Sequence, residues 1–144
     1  MIAVADTSGL LALFNRTEPE HGAAADAANA CGLLVVSPMT LTEVHQVASI
    51  RAGRHAADAI LGTLVTRIEQ TRVAIAPTTT RLLSTALALR RRYADLDLDL
   101  ADAVAAVVAA EYRTEVVLTL DRRDFRAMRP LTDHTAFRLL PDDL

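Results

Sequence analysis

Short, wholly apolar or β-branched runs punctuate the chain at 2–5 (IAVA), 33–36 (LLVV), 73–75 (VAI) and 116–120 (VVLTL), with a fifth candidate at 136–140 (AFRLL). Runs this brief, lacking polar alternation, are the pattern of strands buried on both faces. Between them the apolar positions recur at helical spacing. Residues 9–15 and 20–31 predict helices; 41–52 carries Leu41, Val44, Val47, Ala48 and Ile50, and 56–69 carries Ile60, Leu61, Leu64, Val65 and Ile68. Leu82, Leu83, Ala86, Leu89 and Tyr93 mark another helix, and 100–112 a last one that is apolar on every side. Strands separated by helices predict an α/β domain whose central, mostly parallel sheet is covered on both faces. No repeat, low-complexity tract or Pro/Gly/Ser-rich linker divides the chain, so one domain over 1–144 is expected.

Composition narrows the function classes. Hydrophobic residues make up 51% of the chain, enough for a core, which excludes general disorder. No apolar run reaches the ~18 residues of a membrane span, and the amino terminus MIAVADTSG has no basic leader; a soluble, cytoplasmic protein without membrane contact is expected. The single cysteine, Cys31, forms no internal disulfide or thiolate cluster and is expected to be a buried small hydrophobe. A net charge of −3 counts against a nucleic-acid partner. That balance reverses if several carboxylates are neutralised by bound cations, and the positive charge is clustered at Arg90, Arg91, Arg92, Arg122 and Arg123. All 15 basic side chains are arginine.

The acids carry the candidate chemistry. Asp6 ends the first strand and Asp121 the fourth, which places both at the carboxyl edge of a parallel sheet, where ligands bind in such folds. Glu43 lies three residues after Thr40, and Asp102 three after Asp99, each in the first predicted turn of a helix. Taken singly, each is first explained by capping: Asp6 and Asp121 as N-caps, Thr40 with Glu43 as a capping box. Asp102 resists that explanation, because its neighbours Ala105, Ala106 and Ala109 lie on a helix buried all round. A carboxylate there must be paired, protonated or bound to a cation. Asp99 suits the N-cap, and Asp95 and Asp97 are expected to be solvated. Asp95, Asp97 and Asp99 match the start of a calcium loop, but Leu100 stands where glycine is needed and Ala106 where the bidentate glutamate belongs. Four carboxylates at one edge suit Mg²⁺ or Mn²⁺ and the hydrolysis of a phosphodiester. Thr7, Ser8 and Thr119 are small hydroxyl residues beside them, able to orient a carboxylate, a water or a phosphate oxygen.

The segments AVADTSGLLALFN, MTLTEV, DLDLADAVAAVVA and VLTLDRRDF, in this order and over essentially the whole chain, resemble the PIN-domain family, and in particular its short stand-alone members, the VapC toxins of toxin–antitoxin pairs. The resemblance implies a three-layer α/β/α fold in which Asp6, Glu43, Asp102 and Asp121 bind Mg²⁺ or Mn²⁺. It implies endoribonuclease activity leaving a 5′-phosphate and a 3′-hydroxyl, with Asp124 as a dispensable further metal ligand. It also implies a homodimer and a cognate antitoxin that threads a peptide over hydrophobic helices and inserts a basic side chain near the acids. GLLALF at 9–14 is apolar enough for such a groove or for the core. Arg90, Arg91, Arg92, Arg122 and Arg123 are candidates for RNA-phosphate contact, since guanidinium groups bind phosphate bidentately; solvated helix faces are the alternative.

Three other functions compete. An aspartyl-phosphate enzyme would also use Asp6, but such enzymes rely on a lysine, and this chain has none. A non-enzymatic interaction module would treat the acids as caps, which leaves Asp102 unexplained. A PIN-type nuclease of RNA processing, without a toxin role, is the nearest alternative. His21, His45, His55 and His134 have no metal-ligand spacing.

Overall fold

A computed structural model describes all residues, 1–144. The five strands are β1 (Ile2–Ala5), β2 (Leu33–Val36), β3 (Val73–Ile75), β4 (Val116–Leu118) and β5 (Arg138–Leu140). They form one sheet in the order β3-β2-β1-β4-β5, and every pairing is parallel. The connecting helices are α1 (Thr7–Phe14), α2 (His21–Ala30), α3 (Pro38–Ala52), α4 (Arg54–Glu69), α5 (Thr80–Arg92), α6 (Leu100–Glu111) and α7 (Arg122–Ala127). A 3-10 turn at Ala94–Leu96 joins α5 to α6. No helix is long and apolar enough to cross a membrane.

The alternation of side chains along each strand divides the interior in two. Val35, Val4, Val117 and Leu139 lie side by side in register on one face of the sheet. They pack with Leu82, Ala86 and Leu89 of α5, Val104 and Val108 of α6, Phe125 of α7 and Phe137. Ala3, Ala5, Leu34, Val36 and Leu118 face the other way, against Leu10 and Leu13 of α1, Ala27 of α2, Val44 of α3 and Leu64 of α4. The result is the expected three-layer α/β/α arrangement. Small residues set its spacing: an added Cβ at Gly9 would stand 2.1 Å from the carbonyl oxygen of Leu118, so only glycine lets α1 approach β4 so closely.

Some element ends differ from the periodicity, for local reasons. The fourth strand spans only Val116–Leu118; Thr119 still donates its N–H to the Leu140 carbonyl at 3.0 Å while its hydroxyl bonds Asp6. Helix α3 starts at Pro38, three residues before the first periodic position. Ser37 caps it by accepting from the Thr40 N–H at 3.2 Å, and proline suits the first turn. Thr40 and Glu43 therefore form no capping box, and Glu43 belongs to the second turn. Cys31 is buried, as expected.

The strand order also fixes where a site forms. The chain leaves β1 to one side for β2 and β3, then returns to β4 on the other side of β1. This reversal opens a crevice at the carboxyl ends of β1 and β4, the position at which open α/β sheets bind ligands. Asp6 and Asp121 stand there.

Candidate active site

Asp6 follows β1 and caps α1. Its Oδ1 accepts from the Gly9 N–H at 2.8 Å and from Ser8 Oγ at 2.9 Å, and its Oδ2 accepts from Thr119 Oγ1 at 2.5 Å. The two hydroxyls are fixed in turn, since Ser8 Oγ accepts from the Leu120 N–H and Thr119 Oγ1 from the Asp121 N–H. The segment after β4 thus holds the carboxylate at the end of β1, with Asp121 next in line. Asp121 makes no side-chain cap to α7, so its carboxylate is free of the structural role that sequence alone suggested.

Asp102 enters from α6. Asp99 caps that helix by accepting from the Asp102 N–H at 2.8 Å, which leaves the Asp102 carboxylate itself outside the cap. Residues 102–109 of α6 are all buried, and Asp102 is 7% exposed. Asp95 and Asp97 are exposed, as expected for solvated acids. Glu43, half-buried on α3, completes a cavity of about 220 Å³ lined by Asp6, Glu43, Asp99, Asp102 and Asp121 together with Thr7 and Ser8. Single carboxylate oxygens of Asp102, Asp121 and Asp124 lie within 4.8 Å of one another. Asp124 belongs to that triangle from the first turn of α7 without lining the cavity.

The crowding shows in the protonation of these groups. Burial pushes Asp6 up to about 6, against the opposing hydrogen bonds from Thr119, Gly9 and Ser8. Asp102 is driven far above the ordinary carboxylate range, first by burial and then by the negative charge of Asp99 and the carboxylate of Asp121. Leaving buried carboxylates ionised without a partner costs several kcal/mol each, so the cluster has an unmet demand for positive charge. Oxygen-only donors at this spacing meet the requirement of a hard divalent cation, and no cysteine or histidine lines the cavity to favour a softer one.

The hydroxyls divide. Ser8 and Thr119 are engaged in holding Asp6, whereas Thr7 Oγ1 is buried without a hydrogen-bond partner and Thr7 lines the cavity. The arginine candidates divide as well. Arg122 is clasped by Glu20 and by Asp142 and is not free to meet a ligand. Arg123 lies beside Asp124 and donates to the Leu96 carbonyl, Arg90 Nε donates to the Leu98 carbonyl at 2.8 Å, and Arg92 stacks on Tyr93. Arg91 is exposed on α5. None of these five lines the acidic cavity. The cation that does is Arg51, in the last turn of α3. Periodicity could have found it: Glu43, Val47 and Arg51 stand at i, i+4 and i+8, one helix face, and all three line the cavity.

A second hollow of about 640 Å³ adjoins the first and shares Leu11 and Arg51 with it. Its walls are largely apolar, with Leu11, Phe14, Ala48, Ala52, Ala56 and Ile60. The GLLALF segment divides: Leu10, Ala12 and Leu13 are buried in the interior, and Leu11 and Phe14 line the second hollow.

Comparison with known proteins agrees with this architecture. Residues 3–129 match the model of the PIN domain. The chain is 35% identical over 129 residues to Ribonuclease VapC26 of Mycobacterium tuberculosis, an alignment covering 89% of this chain and 93% of that protein. Among solved structures it resembles VapC20 of M. tuberculosis, a sarcin-ricin loop cleaving toxin, with a TM-score of 0.72 at 23% identity over 85% of this chain and 91% of that one. It also resembles VapBC2 from Rickettsia felis bound to a DNA fragment from their promoter, with a TM-score of 0.68 at 14% identity over 92% and 96% of the two chains. A toxin–antitoxin complex from Klebsiella pneumoniae gives a TM-score of 0.62 at 24% identity over 90% and 98%. The family model spanning nearly all of the sheet and its helices, joined by the VapC26 similarity over most of both chains, establishes that this chain belongs to the PIN-domain family, in its VapC branch.

Proposed function

We propose that the protein is an Mg²⁺- or Mn²⁺-dependent endoribonuclease, the toxin of a VapBC-type pair held inactive by its antitoxin. The observation that carries this is the convergence of Asp6, Glu43, Asp102 and Asp121 on one cavity at the sheet's switch point. Capping explains only part of it, since Asp121 and Glu43 make no cap and Asp102 lies beyond the one that Asp99 provides.

Asp6, Glu43, Asp102, Asp121 and Asp124 would hold the metal. When bound, it supplies Lewis-acid stabilisation of the charge developing on the phosphorus oxygens and an activated water at neutral pH. Asp6 is kept in one orientation by three donors, which fixes the floor of the site before substrate arrives. Asp102 sits buried beside Asp99 and Asp121, a position that disfavours its charged form until a cation neutralises it, so it is suited to hold the metal. Ser8 and Thr119 act through Asp6, and their loss would loosen it rather than remove a reacting group.

The antitoxin reading places a peptide in the apolar groove beside the acids, with a basic side chain reaching the carboxylates. Similarity to VapC26 and the VapBC fold neighbours support a toxin over a processing nuclease. The protein would act in the cytoplasm, as a homodimer. Cleavage of labelled cellular RNA by wild type and by Asp102→Asn, with Mn²⁺ and with chelator, tests the nuclease. Products from wild type alone, lost in chelator, support it; equal products from both proteins refute the site. Growth arrest on expression, relieved by co-expressing a cognate antitoxin, tests the toxin role.

A further inference from the structure

The geometry points to Arg51 as the phosphate-binding side of the acidic cavity, the contact that holds the RNA backbone against the carboxylates. This rests on the nuclease reading and deepens it by assigning the group that recognises the substrate's charge. Arg51 is the one cationic side chain lining the cavity, reaching it from the same face of α3 as Glu43. It enters no ion pair and donates no hydrogen bond within the protein, although acids surround it. Of the other arginines near the site, Arg122 is committed to Glu20 and Asp142 and Arg90 to Leu98, while Arg123 stands beside Asp124 outside the cavity.

A phosphate is an anion for the guanidinium, which forms bidentate, charge-assisted hydrogen bonds. A carboxylate site repels a phosphodiester, and a cation on its rim adds to the bound metal's attraction in holding one close.

Arg51→Ala and Arg51→Lys would be compared with wild type in Mn²⁺, on a labelled RNA oligonucleotide carrying a site that wild type cuts in cellular RNA. Arg51→Ala is expected to raise KM at least about tenfold with little change in kcat, as for loss of a charged hydrogen bond. Its RNA affinity should fall less steeply with salt, by about 0.7 in the log–log slope for one lost phosphate contact on a single strand. Arg51→Lys should recover part of the KM. The rise in melting temperature caused by Mn²⁺ should persist or grow in Arg51→Ala, because a like charge near the cation has gone. Unchanged KM and salt slope in Arg51→Ala, or loss of its Mn²⁺ response, would overturn the assignment while leaving the nuclease standing. A wild type that neither cuts nor binds RNA in Mn²⁺ would instead overturn the nuclease reading and this inference together.

Discussion

Two acidic clusters in this molecule use the same residue type to opposite effect. At the carboxyl-terminal corner, Asp142 and Glu20 clasp Arg122, and Asp143 pairs with Arg126 at 2.8 Å. There the arginine partners hold Asp142 and Asp143 below the ordinary carboxylate range. In the cavity, Asp6 and Asp102 are raised, and no arginine is bonded to either. The corner is electrostatically complete and exposed, so it fastens the chain end to α7. In the cavity the two raised acids, Asp6 and Asp102, are buried, a setting that favours a bound cation. Acidity alone does not make a site; an acid left without its counter-charge in a desolvated place does.

Substitution at the centre of the cavity should separate the clusters most sharply. Asp102→Asn is expected to lower RNA cleavage by at least about 100-fold, the scale of a lost acid–base or metal-holding group. It should leave the metal-free protein at least as stable at pH 7, because the substitution removes a buried acid that burial already disfavours. A clear loss of metal-free stability would mean that Asp102 holds the fold rather than the chemistry.

Cation linkage comes next. Saturating Mn²⁺ at about 100 times its Kd should stabilise wild type by about 2.7 kcal/mol, read as a rise in melting temperature. Asp142→Asn should keep the whole response, and Asp102→Asn should lose most of it. Gly9→Ala tests the scaffold between the clusters: the methyl group would meet the Leu118 carbonyl, and a loss of about 1–3 kcal/mol is expected from overpacking, seen in denaturant unfolding.

The pH dependence has a definite sign. A carboxyl raised in the folded state binds more protons folded than unfolded, so its contribution to stability falls as pH rises between the unfolded and folded values. For Asp6 that window runs from 3.8 to about 6, and Asp102 extends it upward. The melting temperature in chelator should therefore decline from mildly acidic to mildly alkaline pH, with the Mn²⁺ response growing over the same range as protons cease to compete. Asp142 and Asp143, being lowered, act in the opposite sense and only as pH falls below the ordinary carboxylate range. A melting temperature that rises through neutral pH in chelator would contradict this assignment. Smallest of all, a double-mutant cycle on Arg126 and Asp143 should give a coupling of about 0.2–1 kcal/mol, since both side chains are well exposed to solvent.

The sequence by itself determined the alternation of strands and helices, because apolar runs and 3.6-residue periodicity are local properties. It also marked Asp102, since an acid on a helix apolar all round has no solvent to face. It supplied Asp99 as a cap and Asp6 at a strand end for the same local reasons. It misplaced the start of α3, where Ser37 and Pro38 begin the helix before any apolar period is visible. Only the tertiary structure decided which charges remain available. Arg122 sits one residue from Asp121 and looked like a phosphate ligand, yet Glu20 and Asp142, remote in sequence, consume it. Arg51, eight residues beyond Glu43, lines the cavity because α3 runs alongside it. Pairing between charges depends on distances across the fold, which no local pattern records, whereas burial of a helix face is written in every turn of it.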